Sequence, residues 1–307
     1  MYAFIFPGQG SQKVGMGVEL AQASTAARDT FAEVDEALSQ RLFALMAEGP
    51  ADDLTMTANA QPAIMAHSIA VLRASGIDLA DKAAFVAGHS LGEYSALCGA
   101  GSFGLAETAK LLRIRGNAMQ EAVPVGVGAM AALLGVDIAK AQEIAEACAE
   151  GQVCEVANDN DPGQVVLSGH ADAIARVVER AKEMGAKRAI LLPVSAPFHC
   201  SLMRPAGDRM AVALSEHKPV APSVPLVANV TAEASSEAPA ILSQLVEQVT
   251  GRVRWRESVA YMAEQGVTHF VEVGGKVVAP MVKKIVPDAQ ATSLVTMADL
   301  EAFAKEI

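Results

Sequence analysis

The stretch Ala83-Ala84-Phe85-Val86-Ala87-Gly88-His89-Ser90-Leu91-Gly92 contains the strongest structural signal in the chain. The apolar run at 83–87 predicts a short buried strand, and the sequence from Leu91 to Ala100 is typical of a helix. Between them, Gly88–Gly92 matches G-x-S-x-G, a sharp strand-to-helix turn that presents a serine hydroxyl above the sheet. Ser90 is therefore a candidate nucleophile. The alternative is a glycine-rich turn whose serine has no chemical role.

The composition restricts the class of protein and its partners. The 307 residues carry a formal net charge of −11 and are 51% hydrophobic but only 4% aromatic, which suits aliphatic helices packed on a sheet. This charge argues against nucleic acid or an anionic membrane as the main partner. No apolar stretch is long enough to span a bilayer and no signal peptide is expected. Because the four cysteines show no C-x-x-C spacing, we expect neither disulfides nor zinc, and a cytoplasmic location.

Strand and helix signals alternate along most of the chain, which predicts an α/β fold with a parallel sheet covered on both faces. A first strand at Tyr2–Phe6 is followed by a glycine-rich loop, Gly8–Gln12. The other predicted elements are helices at Ala26–Ser39, Gln61–Ser75, Leu105–Met119, Met203–Leu214, Ala240–Val249 and Arg256–Gln265, and strands at Leu226–Ala228 and His269–Val273.

The segment from Val123 to Val194 has a pattern of its own. Its order, β-α-β-β-α-β, is that of the ferredoxin-like split unit. We therefore expect a discontinuous large domain, residues 1–122 and 196–307, with a small domain inserted at 123–195. The predicted elements are strands at Ala129–Leu134, Cys154–Ala157, Gln164–Ser168 and Lys187–Leu192, a turn at Asp159–Gly163, and helices at Asp137–Ala149, with Asp137 as N-cap, and Ala171–Met184, ended by Gly185.

A serine nucleophile needs a base, and six histidines are available. His89 is adjacent to Ser90, but successive strand residues point to opposite faces, which favours a packing role. His199 follows the predicted small domain, and a loop at a domain junction commonly borders a cleft. His199 is the candidate base, with a structural histidine on a loop as the alternative.

Two further features suit acyl chemistry. Arg115 lies in the middle of the apolar face of its predicted helix, so it forms either an internal salt bridge or a site for a substrate carboxylate. The main-chain amides of Gln9, in the loop after the first strand, and of Leu91, at a helix N-terminus, are candidates for an oxyanion hole. A turn glutamine without a catalytic role is the alternative for Gln9.

Motifs in the same order run through nearly the whole chain and together resemble the malonyl-CoA:acyl carrier protein transacylase family. The resemblance implies an acyltransferase of fatty acid biosynthesis that moves a malonyl group from malonyl-CoA to the phosphopantetheine thiol of acyl carrier protein through a malonyl-serine, in a ping-pong scheme. The motifs are Phe6–Gln12, Gln61–Ala63, Gly88–Tyr94, Arg115–Gly116, Met119–Pro124, Gly128–Met130, Asn158–Val165, Phe198–His199 and Glu272–Gly274.

The resemblance also implies an α/β-hydrolase-like large domain with a ferredoxin-like insertion, and no metal or redox cofactor. In place of a triad acid, a main-chain carbonyl orients the histidine. The residues that it assigns are Ser90 as nucleophile, His199 as base, Arg115 for the substrate carboxylate, Gln9 and Leu91 for the oxyanion hole, and Gln248 for the orienting carbonyl.

Three positions depart from the family pattern. Gly274-Gly275-Lys276 is one residue shorter than the usual Gly-Pro-Gly-Lys, and Arg252 stands where a proline is common. Phe198 replaces a small residue, and its ring would crowd a branched α-carbon, which favours malonyl over methylmalonyl.

Other functions and an unassigned surface stay open. A trans-acting polyketide acyltransferase, a serine hydrolase or thioesterase, and an idle acyl-CoA-binding module all share parts of the pattern. Basic residues that flank the predicted cleft are candidates for contact with an acidic carrier protein, or they are ordinary solvated charges. They are Lys182, Lys187, Arg188 and Arg204.

Overall fold

The computed structural model describes residues 1–194 and 196–307 as two packed units, each built on its own sheet. The strands are β1 Tyr2–Phe6, β2 Ala83–Gly88, β3 Gly128–Leu134, β4 Cys154–Asp161, β5 Gln164–His170, β6 Arg188–Leu191, β7 Leu226–Val227, β8 Ala234–Ser235, β9 His269–Val273 and β10 Gln290–Leu294. The helices are α1 Val18–Ala23, α2 Thr25–Leu38, α3 Leu42–Glu48, α4 Ala51–Thr55, α5 Thr57–Ser75, α6 Leu79–Lys82, α7 Gly92–Gly99, α8 Leu105–Glu121, α9 Ile138–Ala149, α10 Ala171–Arg180, α11 Arg204–Ser215, α12 Ala238–Gln248, α13 Trp255–Glu264, α14 Ala279–Ile285 and α15 Met297–Phe303.

The larger sheet has the order β10-β9-β1-β2-β7-β8 and is parallel except for the short pair of β7 and β8. Its central strand shows why both faces must be covered. Phe4 and Phe6 point into a core formed with α2, α5 and α8, whereas Ala3 and Ile5 point into a second core with α13 and α14. The predicted parallel sheet with helices on both faces is therefore present.

The smaller sheet has the order β4-β5-β3-β6 and is antiparallel throughout. Its chain order, strand-helix-strand-strand-helix-strand, is the predicted one. Asp137 caps α9 as expected, since its side chain accepts a 2.8 Å hydrogen bond from the Lys140 amide. The helices α9 and α10 pack on this sheet around a core that includes Ile144 and Ile174.

The predicted turn at Asp159–Gly163 is wrong in its first part, because β4 continues to Asp161. The extra residues pair with the large unit: the Asp159 amide donates to the Val253 carbonyl at 2.9 Å. The Asp159 carboxylate accepts three hydrogen bonds from Arg256, one from Nη2 at 2.8 Å and two from Nε at 3.0 and 3.1 Å. A run of acidic residues that suggests an exposed turn is therefore buried, since cations on α13 and α14 compensate its charges.

Other boundaries also differ from the predictions. The helix predicted to reach Met184 ends at Arg180, and tight turns follow up to Gly185, whose φ is +104°. The strand β10 and the helices α14 and α15 were not predicted, because β10 is only partly buried and all three are short.

The helices α5 and α8 approach each other unusually closely. A Cβ on Gly116 would lie 2.6 Å from the Ala58 Cα, so only glycine fits there. This approach brings the preceding residue, Arg115, next to α5. Although α5 is almost entirely buried, no helix among the described residues has the length and apolar character to cross a membrane.

Candidate active site

The turn between β2 and α7 holds Ser90 in a strained conformation, with φ of +55°. Such a left-handed backbone at a non-glycine residue persists only where its surroundings fix it. A Cβ on Gly88 would lie 1.9 Å from the Gly92 carbonyl carbon, and a Cβ on Gly92 would lie 2.4 Å from the Phe6 carbonyl oxygen. Both glycines of the G-x-S-x-G pattern are therefore required by close backbone contacts.

Asn229 holds this turn in place through two side-chain hydrogen bonds. Its side-chain oxygen accepts a hydrogen bond from the Ser90 amide at 2.8 Å, and its side-chain nitrogen donates to the Gly88 carbonyl at 2.7 Å. The residue is fully buried and follows β7 closely. The sequence patterns do not predict a role for Asn229. The available signal was its position directly after the predicted strand Leu226–Ala228, at the sheet edge where the loops converge.

Ser90 and His199 are in direct contact, with 2.7 Å between the serine Oγ and the histidine Nε2. His199 Nδ1 lies 2.9 Å from the main-chain oxygen of Gln248 and 3.2 Å from that of Gly251. Because a carbonyl oxygen only accepts, Nδ1 carries the hydrogen and Nε2 is left to accept the Ser90 hydroxyl. The histidine is thus oriented by main-chain carbonyls.

The environment of His199 keeps its imidazole neutral. Burial first, and the nearby Arg115 charge second, lower the pKa of His199 to about 3. Its carbonyl partners oppose this shift only partly. The ring can therefore accept a proton from Ser90 at neutral pH.

Arg115 points inward and is 1% exposed. Its guanidinium donates to Gln61 Oε1 at 2.7 Å, to Gln248 Oε1 at 2.8 Å and to Ser90 Oγ at 3.1 Å. It also lies 5.8 Å from the centre of the Tyr94 ring. In the described part of the chain it forms no direct ion pair, so the internal salt bridge considered from the sequence is not found there.

The guanidinium retains unused hydrogen-bonding capacity. Its five N–H groups make the three bonds above, and among the described residues Nε has no partner. A buried cation with unbonded N–H groups is suited to a carboxylate held by two hydrogen bonds. The inward position of Arg115 was predicted from the apolar face of α8, whereas the side-chain contacts of Gln61 and Gln248 were not.

A cavity of about 300 Å³ joins the predicted residues. Ser90, His199, Arg115, Gln9 and Leu91 all contribute to its wall. The apolar part of the wall comes from Met119, Met130, Leu192, Val194 and Phe198.

Gln9 and Leu91, whose amides are predicted for an oxyanion hole, both line this cavity. The turn closes with hydrogen bonds from the amides of Gly92, Glu93 and Tyr94. Within the ranges that the structure describes, the Leu91 amide makes no such bond. It therefore remains available to a ligand oxygen.

His89 has the packing role favoured from the sequence. Its Nε2 lies 2.9 Å from Asn160 Oδ1, and its ring centre is 5.7 Å from that of Trp255. Burial lowers its pKa, so the ring is neutral. Among the described residues, no group of three or more histidine, cysteine, aspartate or glutamate side chains is arranged to hold a metal ion.

The chain matches the acyl transferase domain family over residues 3–291. It is 47% identical to the malonyl CoA-acyl carrier protein transacylase of Escherichia coli K12 over 294 residues, which cover 95% of each chain. The chain belongs to the malonyl CoA-acyl carrier protein transacylase family. The resemblance inferred from the motifs is therefore confirmed.

Solved structures of this transacylase family agree with the fold. The acyl-carrier-protein-S-malonyltransferase of Bartonella henselae is 52% identical and superposes with a TM-score of 0.97, over 99% of this chain and 98% of that one. A malonyl-transacylase in complex with a type II PKS acyl-carrier protein is 40% identical, with a TM-score of 0.97 over 100% and 99% of the two chains.

Proposed function

We propose that the chain transfers the malonyl group of malonyl-CoA to the phosphopantetheine thiol of an acyl carrier protein through a malonyl ester of Ser90, for fatty acid biosynthesis. The observation that carries this proposal is the joint placement of Ser90, His199 and a buried, incompletely bonded Arg115 on one cavity. The names of the relatives point to the same substrates.

In the first half-reaction, Ser90 Oγ attacks the thioester carbonyl carbon while His199 Nε2 takes the hydroxyl proton. The negative charge on the carbonyl oxygen is held by the amides of Gln9 and Leu91. The C–S bond then breaks, and CoA leaves as a thiol after His199 returns the proton. The Gln248 carbonyl stabilises the imidazolium while it exists.

In the second half-reaction, the carrier thiol replaces CoA in the cavity. His199 removes the thiol proton, the sulfur attacks the malonyl ester, and Ser90 regains its hydroxyl proton from His199. Ser90 is acylated in the first half-reaction and deacylated in the second. Because CoA leaves before the carrier thiol enters, the scheme is ping-pong. These steps require no metal or redox cofactor.

Arg115 selects the acyl group by its distal carboxylate. A malonyl carboxylate pairs directly with the guanidinium, whereas an acetyl group leaves its unbonded N–H groups without an acceptor, which costs free energy. Phe198 on the cavity wall restricts the space around the α-carbon and so favours malonyl over methylmalonyl.

The domain division follows the same proposal. We assign residues 1–122 and 196–307 to an α/β-hydrolase-like domain, and 123–195 to a ferredoxin-like domain, supported by the sheet orders and by the β-α-β-β-α-β sequence of elements. The four free cysteines suit a cytoplasmic enzyme. Contact with the carrier protein is proposed for the basic group Lys182, Lys187, Arg188 and Arg204.

A second candidate is transfer to a polyketide carrier protein. The observation in its favour is the structural neighbour that was solved with a type II PKS acyl-carrier protein. Both functions use the same acyl-enzyme. Purified fatty acid and polyketide carrier proteins, compared as acceptors by kcat/KM, separate the two.

The nucleophile is tested by mass spectrometry after mixing with malonyl-CoA. The unsubstituted enzyme should gain one malonyl group and Ser90→Ala none. Ser95→Ala, on the helix α7 that follows the Ser90 turn and away from the cavity, is the matched control and should retain the adduct. A stable malonyl adduct on the Ser90→Ala protein would exclude Ser90 as the nucleophile.

The substrate class is tested by comparing malonyl and acetyl transfer. Arg115→Ala should lose about 10²-fold or more in malonyl transfer, since a charged hydrogen-bonded pair is removed, and much less in acetyl transfer. Arg113→Ala on the same helix is the control, because its guanidinium binds Asn59 and Gln40 instead. Equal losses of both activities in Arg115→Ala would contradict the assigned role.

A further inference from the structure

Glu93 is a fully buried carboxylate that the proposed mechanism does not use. It lies on the first turn of α7, behind the cavity wall. Its Oε2 accepts hydrogen bonds from Gln248 Nε2 at 2.7 Å and from the Asn229 amide at 3.2 Å. Its Oε1 has no partner in the described part of the chain. A buried carboxylate that is only half satisfied is costly, and it requires a physical reason.

The side chain of Gln248 links Glu93 to Arg115, and this link supplies a reason for the buried carboxylate. The same side-chain amide that donates to Glu93 accepts from Arg115 at 2.8 Å. One neutral amide therefore separates a buried anion from a buried cation. A direct bidentate ion pair would occupy two guanidinium donors, whereas the intervening amide occupies one and still keeps the two charges close.

We propose that Glu93 is the counter-charge of Arg115 in the empty enzyme, and that it takes up a proton when a substrate carboxylate binds the guanidinium. This inference rests on the proposed function, since it takes Arg115 as the carboxylate site. With the substrate bound, one buried cation would face two carboxylates. Protonation of Glu93 at its free Oε1 removes the surplus negative charge.

The groups around Glu93 support this role. Burial raises the pKa of Glu93 to about 7, against its hydrogen bonds and the Arg115 charge. Its contacts from α12 and from the loop after β7 are a neutral side-chain amide and a main-chain amide. Tyr94 beside it has a pKa well above its usual range, and burial keeps His199 and His89 neutral. Of these groups, Glu93 is the one that can change charge near neutral pH.

The linkage fixes the sign of the pH dependence. If malonyl binding takes up a proton, affinity for malonyl-CoA must fall as pH rises through the pKa of Glu93. Acetyl-CoA has the same CoA moiety and no distal carboxylate. The ratio of the two affinities therefore isolates the effect of the carboxylate.

The experiment uses the Ser90→Ala enzyme, which binds both thioesters without reacting. From about pH 6.5 to about pH 9, the ratio of malonyl-CoA to acetyl-CoA affinity should fall about tenfold, the equivalent of one pKa unit. Calorimetry in two buffers of different ionisation enthalpy should show proton uptake with malonyl-CoA only. A ratio that is constant over this range would overturn the inference.

Substitution of Glu93 should raise the preference for malonyl-CoA at high pH, whereas structural damage to the site would lower it. In Ser90→Ala/Glu93→Gln the ratio should be independent of pH, and at high pH it should exceed the Ser90→Ala ratio about tenfold. Ser90→Ala/Glu272→Gln is the matched control, since Glu272 is equally buried but lies elsewhere, and it should keep the pH dependence. A pH dependence that persists without Glu93 would refute the inference.

A further measurement leaves Glu93 in place, so that misfolding of a Glu93 variant cannot affect its result. Difference infrared spectra of the Ser90→Ala enzyme should show a new protonated carboxyl band with malonyl-CoA and none with acetyl-CoA. Absence of that band overturns the inference. Absence of any preference for malonyl-CoA at every pH overturns the proposed function as well, whereas a preference that does not vary with pH overturns the role of Glu93 alone.

Discussion

Two strand-to-helix turns flank β1 at the same edge of the large sheet, one after β2 and one after β9. Both press on the first loop: a Cβ on Gly92 would lie 2.8 Å from the Pro7 carbonyl oxygen, and a Cβ on Gly275 would lie 2.8 Å from Pro7 Cγ. A fully buried glutamate lies beside each turn: Glu93 follows the turn after β2, and Glu272 precedes the turn after β9. The architecture is shared, so the difference in chemistry must come from how the polar groups are satisfied.

The turn after β9 satisfies its buried carboxylate with its own main chain, and the distant His67 contacts only its Gly274 carbonyl. Glu272 accepts from the amides of Val277, Val278 and Ala279 at 2.8, 3.1 and 2.8 Å, so both of its oxygens are used. The turn after β2 is instead completed by side chains that lie far away in the sequence, Asn229 and Gln248. A locally closed turn is structural. A turn completed by distant residues can be held strained and can keep groups available to a ligand.

The largest expected effect is that of Gly88→Ala, which breaks the turn after β2. The new Cβ would meet the Gly92 main chain at 1.9 Å, and a backbone atom cannot move aside as a flexible side chain can. We expect a loss of about 3 kcal/mol or more in the free energy of unfolding. Denaturant unfolding followed by circular dichroism measures it.

Gly104→Ala is the matched control, because its φ is −68° and no atom lies within 4 Å of its ideal Cβ. Its stability should change by less than about 1 kcal/mol. Equal stability of the two variants would show that the backbone contact at Gly88 relaxes at little cost.

Asn229→Ala should reduce activity rather than stability alone. It leaves the Ser90 amide and the Gly88 carbonyl without their side-chain partner, and it frees the Ser90 turn. Each unsatisfied buried group costs about 1–3 kcal/mol, and a loss of about 2 kcal/mol in transition-state stabilisation lowers kcat for malonyl transfer about 30-fold. Glu272→Gln should lose a similar amount of stability and retain kcat. If both variants lose kcat equally, the two turns do not differ in function.

The sequence was informative where chemistry depends on local pattern. The glycines around Ser90 and the cation on the apolar face of α8 predicted a nucleophile turn and an inward Arg115. Neither Asn229 nor the side-chain role of Gln248 was predicted, since their partners lie more than a hundred residues away and no local pattern specifies them. The acidic residues at the end of β4 were wrongly predicted to form a turn for the same reason, since the cations that pair with them lie far away in the sequence, on α13 and α14.

The turn after β9 should make the protein sensitive to acid. His67 Nδ1 lies 3.0 Å from the Gly274 carbonyl, and burial lowers the pKa of His67 to about 4. The unfolded chain, with an ordinary histidine pKa of about 6.5, binds the proton more readily. Stability is therefore full above that pKa and is lost as pH falls from about 6.5 toward about 4, by up to about 1.4 kcal/mol per pH unit.

His67→Gln removes this titration and can still donate to the Gly274 carbonyl. Its unfolding free energy should match that of the unsubstituted protein near neutral pH and decline less steeply below about pH 6.5. Urea unfolding at several pH values measures the two slopes. Parallel slopes would show that His67 does not contribute to acid sensitivity.

The smallest expected effect concerns the helix that follows the turn after β9. Lys284 on α14 lies 2.8 Å from Asp161 at the end of β4, which links the two units. Its side chain is 60% exposed, so solvent screens the pair, and Asp161 also accepts from the Gly163 amide. Lys284→Ala should therefore cost less than about 1 kcal/mol in unfolding free energy and leave malonyl transfer unchanged.

Arg256→Ala provides the contrast for Lys284→Ala. Arg256 binds the buried Asp159 through two of its nitrogens, and its loss leaves that carboxylate without a cation. Both carboxylates are 1% exposed, but Arg256 is 32% exposed and bonds through two nitrogens whereas Lys284 is 60% exposed, so Arg256→Ala should unfold at clearly lower denaturant concentration. A larger loss for Lys284→Ala would mean that attachment of the small unit depends on α14, and the turn after β9 would then have a role beyond local packing.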